Sequence, residues 1–329
     1  NATKQSPRYM KWYEPSELEE RVQALESTEN RQRFQRINQA LLRQPLKVFS
    51  PALDPKALEH LHDRFPMFSK VTTFIQQQMM LARLTSNPIF KLPPILLTGK
   101  AGIGKTRYLS ELAMLVNAPF KTIGLSSATS GWILGGMDFA WRGGKPGMVF
   151  ETLMNHPCAN PVFLLDEIDK ASTSNEHSPI GALYQLLESQ TAQAFVDEAA
   201  GFGVNTTGCV WFATANDVSM IPTPIRSRFQ IFEISDIDPE AARKVSRSVY
   251  QDLRAQNEWG NAFDDYLHDD VVEKMQGLSP RDMRFTLLQA MANAAQRYTE
   301  EGSTQVHLQI SAEDMQSVRR SERPSIGFH

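Results

Sequence analysis

Eight consecutive residues, Gly99-Lys100-Ala101-Gly102-Ile103-Gly104-Lys105-Thr106, have the types and spacing of a loop that binds phosphate. Gly99, Gly102 and Gly104 let backbone amides turn toward an anion, Lys105 supplies a cation for the β and γ oxygens of a nucleotide, and Thr106 supplies a hydroxyl for Mg²⁺. Ile103 and Arg107 complete the set expected around the phosphates. A dinucleotide fingerprint is disfavoured, because Gly102 and Gly104 would need a third glycine where Arg107 stands. Further along, Pro161-Val162-Phe163-Leu164-Leu165-Asp166-Glu167-Ile168-Asp169 is an apolar run that ends in adjacent carboxylates. An acid at the carboxyl end of a buried parallel strand lies where ligands of such sheets bind, so Asp166 is expected to hold Mg²⁺ and Glu167 to orient an attacking water. Either acid alone would read as the cap of the next helix; following a phosphate loop, the pair reads as chemistry.

These groups need a sheet to hold them. Apolar runs at 94–98, 120–124, 162–165, 210–214 and 231–234 lack polar alternation, which predicts five strands buried on both faces of a parallel sheet. The pattern divides the chain into an N-terminal helical segment and linker (1–90), an α/β domain (91–237) and a helical domain (238–329). Asp238-Pro239-Glu240 and Ser279-Pro280-Arg281-Asp282 start helices of the last, the first with Ala242, Val245, Val249 and Leu253 on its core face. A further strand is expected at 306–310. Near the N-terminus, Ser16 and Glu19 form a capping box ahead of Leu18, Val22 and Leu25. A second amphipathic stretch has Phe34, Ile37 and Leu41 on one face, with Arg31, Arg33, Arg36 and Arg43 around it as a solvated face.

The remaining composition mostly excludes. With 329 residues, 41% hydrophobic and 22% charged, the chain can bury a large core, and its net charge of -3 shows no global commitment to nucleic acid or anionic membrane. Cys158 and Cys209 cannot make a disulfide framework and are read as reduced thiols. No apolar stretch is long enough to cross a bilayer and the polar start lacks a signal-peptide core, so a cytoplasmic location is expected, with no membrane partner. The seven histidines form no HExxH or paired Cys/His spacing, so no zinc site is expected.

Phe212-Ala213-Thr214-Ala215-Asn216 and Ile221-Pro222-Thr223-Pro224-Ile225-Arg226-Ser227-Arg228 follow the two motifs above. In that order the four resemble the AAA+ ATPases, and within them the ATPase module of the Lon-type proteases, over roughly residues 60 to 320. The resemblance implies a five-stranded P-loop sheet sandwiched by helices, with a small C-terminal helical lid. It also implies an ATP hydrolase that uses Mg²⁺ and assembles as a homo-oligomeric ring of six around a pore. Asn216 would be sensor 1, at the γ-phosphate. Arg228 would be the arginine finger acting on the neighbouring subunit, with Arg226 the alternative, and Arg281 would be sensor 2, with Arg284 the alternative. In the glycine-rich stretch 135–147, Trp141 would line the pore and grip polypeptide. Lys100 stands where the family often has proline, and the family's Ser/Lys peptidase dyad has no counterpart, so no peptidase activity is expected from this chain alone. Two other readings stay open: a DNA-associated ATPase with Arg31 to Lys47 as its footprint, and a nucleotide-controlled scaffold that recruits a partner.

Overall fold

The apolar runs form the expected sheet, and shorter elements surround it. The computed structural model describes residues 7–25, 28–41, 44–126, 131–171, 178–301 and 307–315. Along the chain run β1 (Tyr9–Lys11), α1 (Pro15–Ala24), α2 (Thr28–Leu41), β2 (Leu46–Val48), α3 (Glu59–Arg64), α4 (Ser69–Ala82), β3 (Ile95–Thr98), α5 (Lys105–Val116) and β4 (Phe120–Gly124). There follow α6 (Trp132–Gly135), α7 (Met148–Asn155), β5 (Val162–Asp166), α8 (Pro179–Leu186), β6 (Phe195–Val196), β7 (Gly203–Val204), β8 (Val210–Ala215), α9 (Thr223–Arg226) and β9 (Gln230–Glu233). The last helices are α10 (Pro239–Gln256), α11 (Asp269–Glu273) and α12 (Pro280–Glu300). Two compact units result, one from residues within 1–59, 70–100 and 105–234, the other from residues within 60–69, 101–104 and 235–329.

In the first unit the sheet order is β4-β5-β8-β3-β9 with every pairing parallel. The register sets Leu165 opposite Ala213 and Thr98 opposite Ala215. Three adjacent strands therefore end together, and Gly99, Asp166 and Asn216 emerge at one edge. Phe163 and Trp211 stack across β5 and β8 at 4.9 Å, and both are buried. Side chains of this size contribute about 1.5–3 kcal/mol each by burial, which is why apolar runs without alternation settle at the centre of the sheet.

The N-terminal segment shares this core. Trp12 lies 5.6 Å from Phe150 and Tyr13 lies 6.1 Å from Phe202, each fully or nearly buried. β1 pairs antiparallel with β2, three residues against three, too short a pattern to stand out in sequence. Leu18 and Leu25 are buried as their spacing implies, but the capping box is not formed. The helix begins two residues earlier, with Glu14 at the cap without a side-chain bond and Pro15 at the first helical position, where its missing N–H costs nothing.

The second unit packs Tyr250, Leu253, Met275 and Leu287 into its own core. Both expected caps are made: Asp238 accepts the Ala241 amide at 2.7 Å, and Ser279 accepts that of Asp282 at 3.2 Å. Instead of a strand near 308, Leu308 makes one isolated parallel bridge to Phe263, and residue 306 lies outside the described residues. Among the described residues no helix is long and apolar enough to cross a membrane.

Candidate active site and displayed hairpin

β3 delivers its chain into Gly99, whose φ of +147° and whose space both demand glycine: a Cβ there would fall 2.7 Å from the Ile234 carbonyl oxygen. α5 then starts at Lys105. The Lys105 side chain is buried, and its Nζ donates to the Gly99 carbonyl (2.5 Å), the Asn216 Oδ1 (3.2 Å) and the Lys100 carbonyl (3.3 Å). Burial lowers the lysine pKa, and Asp169, Asp166 and Glu167 oppose that shift. The ammonium is thus held at the ends of β3 and β8, facing three carboxylates. Thr106 is exposed, and Arg107 pairs with Glu111 one turn on at 2.9 Å.

Residues 101–104 group with the second unit and form a tight turn ahead of α5. Gly102 takes φ +80° and Gly104 φ +103°. Backbone turned this way by glycine can aim successive amides at an anion. The Arg281 amide reaches the Gly102 carbonyl at 3.4 Å, and a Cβ on Gly102 would sit 3.3 Å from that of Arg281. Arg284 instead bonds Gln256 at 2.9 Å. Of the two candidate arginines, Arg281 is the one beside a glycine of the loop.

At the end of β5, one buried hydroxyl ties the acids together. Thr214 Oγ1 donates to Asp166 Oδ1 (2.5 Å) and accepts the Glu167 amide (3.0 Å). Glu167 itself takes a left-handed conformation, φ 56° and ψ 51°, which a side chain adopts only against strain. Its carboxylate accepts from Lys170 at 2.5 Å, and hydrogen bonds from Lys170 and then Ser126 hold its pKa below the usual range. Asp169 Oδ2 accepts the amides of Asn216 and Asp217, both at 3.1 Å, while its buried Oδ1 has no partner among the described residues. A lysine, two strand-end acids, an unpaired carboxylate oxygen and the Asn216 side chain suit a polyphosphate with a hard divalent cation. No cluster of three metal-ligating side chains occurs among the described residues.

Arg228 is engaged within its own chain. It lies 3.5 Å from Glu188, covers the Tyr184 ring at 5.6 Å and donates to the Pro224 carbonyl. Arg226 is half-buried and, among the described residues, makes no side-chain bond. Trp141, 69% exposed, caps a hairpin closed by a reciprocal bridge between Met137 and Lys145 at 2.9 and 3.0 Å. At its root the wholly buried Asp197 accepts the amides of Gly147 (2.8 Å), Ala199 (3.0 Å) and Ala200 (3.1 Å). Gly136 lies so close that a Cβ would meet Asp197 Oδ1 at 2.5 Å.

Residues 95–236 match the model of the ATPase family associated with various cellular activities (AAA). A Lon protease of Helicobacter pylori strain J99 is 28% identical over 209 residues, 62% of this chain and 25% of that protein. Over residues 95–236 the chain carries an AAA-type ATPase domain that resembles the ATPase module of Lon proteases. Lon protease homolog 2 of Zea mays, peroxisomal, is 29% identical over 178 residues, covering 54% of this chain and 20% of that one. The AAA+ chain thus spans about a quarter or less of the length of these relatives. Its fold is shared with yeast Hsp104 in an extended complex with casein (TM-score 0.55, 15% identity, 76% of this chain and 50% of that one). A closed Hsp104 state with ATPγS and FITC casein aligns similarly (TM-score 0.59, 14% identity, 78% and 51%).

Four residues of the AAA+ module escape a reading by motif. Thr214 lies inside an apolar strand and Asp169 behind two more conspicuous acids. Asp197 follows a short strand and stands beside a second acid, Glu198, so the local pattern does not mark it. Arg33 looked like one solvated arginine among several, yet it donates to the carbonyls of Phe139 (2.9 Å) and Trp141 (3.4 Å) in the hairpin.

Proposed function

We propose that this AAA+ module hydrolyses ATP and uses the cycle to move unfolded polypeptide through a homo-oligomeric ring of six subunits. Lys105 binds the β and γ phosphates, the 99–106 loop wraps them, with Ile103 and Arg107 at its end, and Thr106 and Asp166 hold Mg²⁺. When bound, Mg²⁺ neutralises charge on the phosphates as the bond breaks. Glu167 orients and polarises the attacking water, helped by a carboxylate that Lys170 keeps ionised. Asn216 bonds the γ-phosphate, exchanging its present contact with Lys105, and Arg281 takes the sensor-2 role. Arg228 stabilises the neighbouring subunit's transition state once it leaves Glu188. In this reading 91–237 is the ATPase domain, 238–329 the lid and 1–90 an N-terminal segment, in a cytoplasmic protein.

The observation that carries the mechanical half is the Trp141 hairpin, a large exposed aromatic on a loop whose root is pinned. Held out on this pinned tip, the indole offers an apolar face and a polar N–H to another molecule. Nucleic acid is the weaker reading, because Arg31 donates to the Leu25 carbonyl (2.6 Å) and Arg33 to the hairpin, which removes two arginines from the supposed footprint. The test is the steady-state ATPase rate alone, with unfolded casein and with duplex DNA. Casein should stimulate turnover in the parent and not in Trp141→Ala. Stimulation by DNA alone would refute the proposal.

A further inference from the structure

The charges of the 137–145 hairpin are unevenly satisfied. Its one acid, Asp138, is already occupied: Oδ1 accepts the Ala140 amide at 2.7 Å and Oδ2 lies 3.4 Å from the Arg21 guanidinium. Its two cations, Arg142 and Lys145, are exposed, and among the described residues neither side chain bonds to another group of the chain. Lys145 closes the hairpin through its backbone alone.

We infer that this hairpin prefers acidic unfolded polypeptide, with Trp141 against apolar or aromatic side chains and Arg142 and Lys145 against Asp and Glu. The inference rests on the reading of Trp141 as a residue that grips polypeptide. A cation without an internal partner gives up nothing within the chain when it meets a carboxylate, and a basic segment meets only repulsion there. The pinned root adds to this. Asp197 holds the Gly147 amide and leaves no room for a side chain at Gly136, so the hairpin presents its charges from a fixed base and little ordering is needed on binding. Repetition around a ring multiplies a contact that is weak singly. Single-stranded nucleic acid would also find cations, but it needs successive stacking rings. The hairpin displays one: Phe139 is buried, edge-on to Phe34 at 6.5 Å.

The test is fluorescence anisotropy on the full chain with Mg²⁺ and ATPγS, using labelled random copolymers of glutamate with tyrosine and of lysine with tyrosine, and labelled oligothymidylate. The glutamate copolymer should bind about tenfold or more tightly than the lysine copolymer, with the gap shrinking as salt rises. The Arg142→Glu/Lys145→Glu double variant should reverse that order. Should the double variant lose its helical melting transition, the single changes Arg142→Gln and Lys145→Gln take its place, each narrowing the gap. Equal binding of the two copolymers, an order that the charge changes leave intact, or tighter binding of oligothymidylate overturns the inference. Trp141→Ala separates the two readings. If it weakens both copolymers while the parent shows no charge preference, the grip stands and the selectivity falls. If it leaves both affinities at the parental value, the grip itself falls.

Discussion

Replacing Thr214 with valine removes one hydroxyl and almost no volume. The side chain is 1% exposed, so water cannot take the hydroxyl's place. Two bonds are lost together: the donation to Asp166 Oδ1 at 2.5 Å and the acceptance from the Glu167 amide at 3.0 Å. A bond to a charged group is worth about 1.5–3 kcal/mol, and a buried amide left unpaired costs about 1–3 kcal/mol. Glu167 is also held in a left-handed conformation that costs about 1–3 kcal/mol, and it relaxes once its amide is released. If about 2–4 kcal/mol of positioning is lost from the two acids, turnover should fall roughly 30- to 1000-fold at saturating Mg-ATP. Thr214→Ser keeps the hydroxyl and loses a methyl worth about 1 kcal/mol of stability, so its rate should stay within about fivefold of the parent. Steady-state ATPase assays, paired with melting by circular dichroism, read both effects. A Thr214→Val protein within about threefold of the parent, or a folded Thr214→Ser protein as impaired as the valine variant, would refute the hydroxyl's role.

Asp197 should tune stability with pH. Burial pushes its carboxyl up to about 7, against the three amides that pull it down, so the folded state binds the proton more tightly than the unfolded chain at about 3.8. Stability from this group is therefore present at acid pH and lost as pH rises from about 4 to about 7, by at most about 4 kcal/mol. Asp197→Asn should flatten that slope in urea denaturation at stepped pH, and an unchanged slope would show that Asp197 does not cause it. Arg228→Ala and Lys105→Ala subunits, each lowered about 10³-fold alone, should recover activity when mixed, since each supplies what the other lacks. Mixed rings demonstrated by mass photometry, with no recovery, would count against a finger acting in trans.

Much of the candidate site was legible in the sequence because it follows local rules. Glycine spacing, a lysine and a hydroxyl before a helix, and apolar runs that end in acids or asparagine each sit within a few residues of one another. Parallel topology then brings Gly99, Asp166 and Asn216 together, since adjacent strands that run the same way end at the same edge. The helix starts at Asp238 and Ser279 were readable for the same reason: a cap acts on an amide two or three residues away. The capping box at Ser16 failed because Pro15, favoured at the first helical position, starts the helix two residues earlier.

What only the tertiary structure decided are the contacts across long sequence separations. Thr214 pins acids 47 and 48 residues before it, and Asp197 pins Gly147 from 50 residues away. Arg33 reaches the hairpin from more than 100 residues upstream. No periodicity or spacing encodes such a meeting, because a hydroxyl in a strand or an arginine on a helix face has the same local pattern whether it is bonded or solvated. The sequence by itself determined which groups could do chemistry; packing determined which ordinary residues hold them in place.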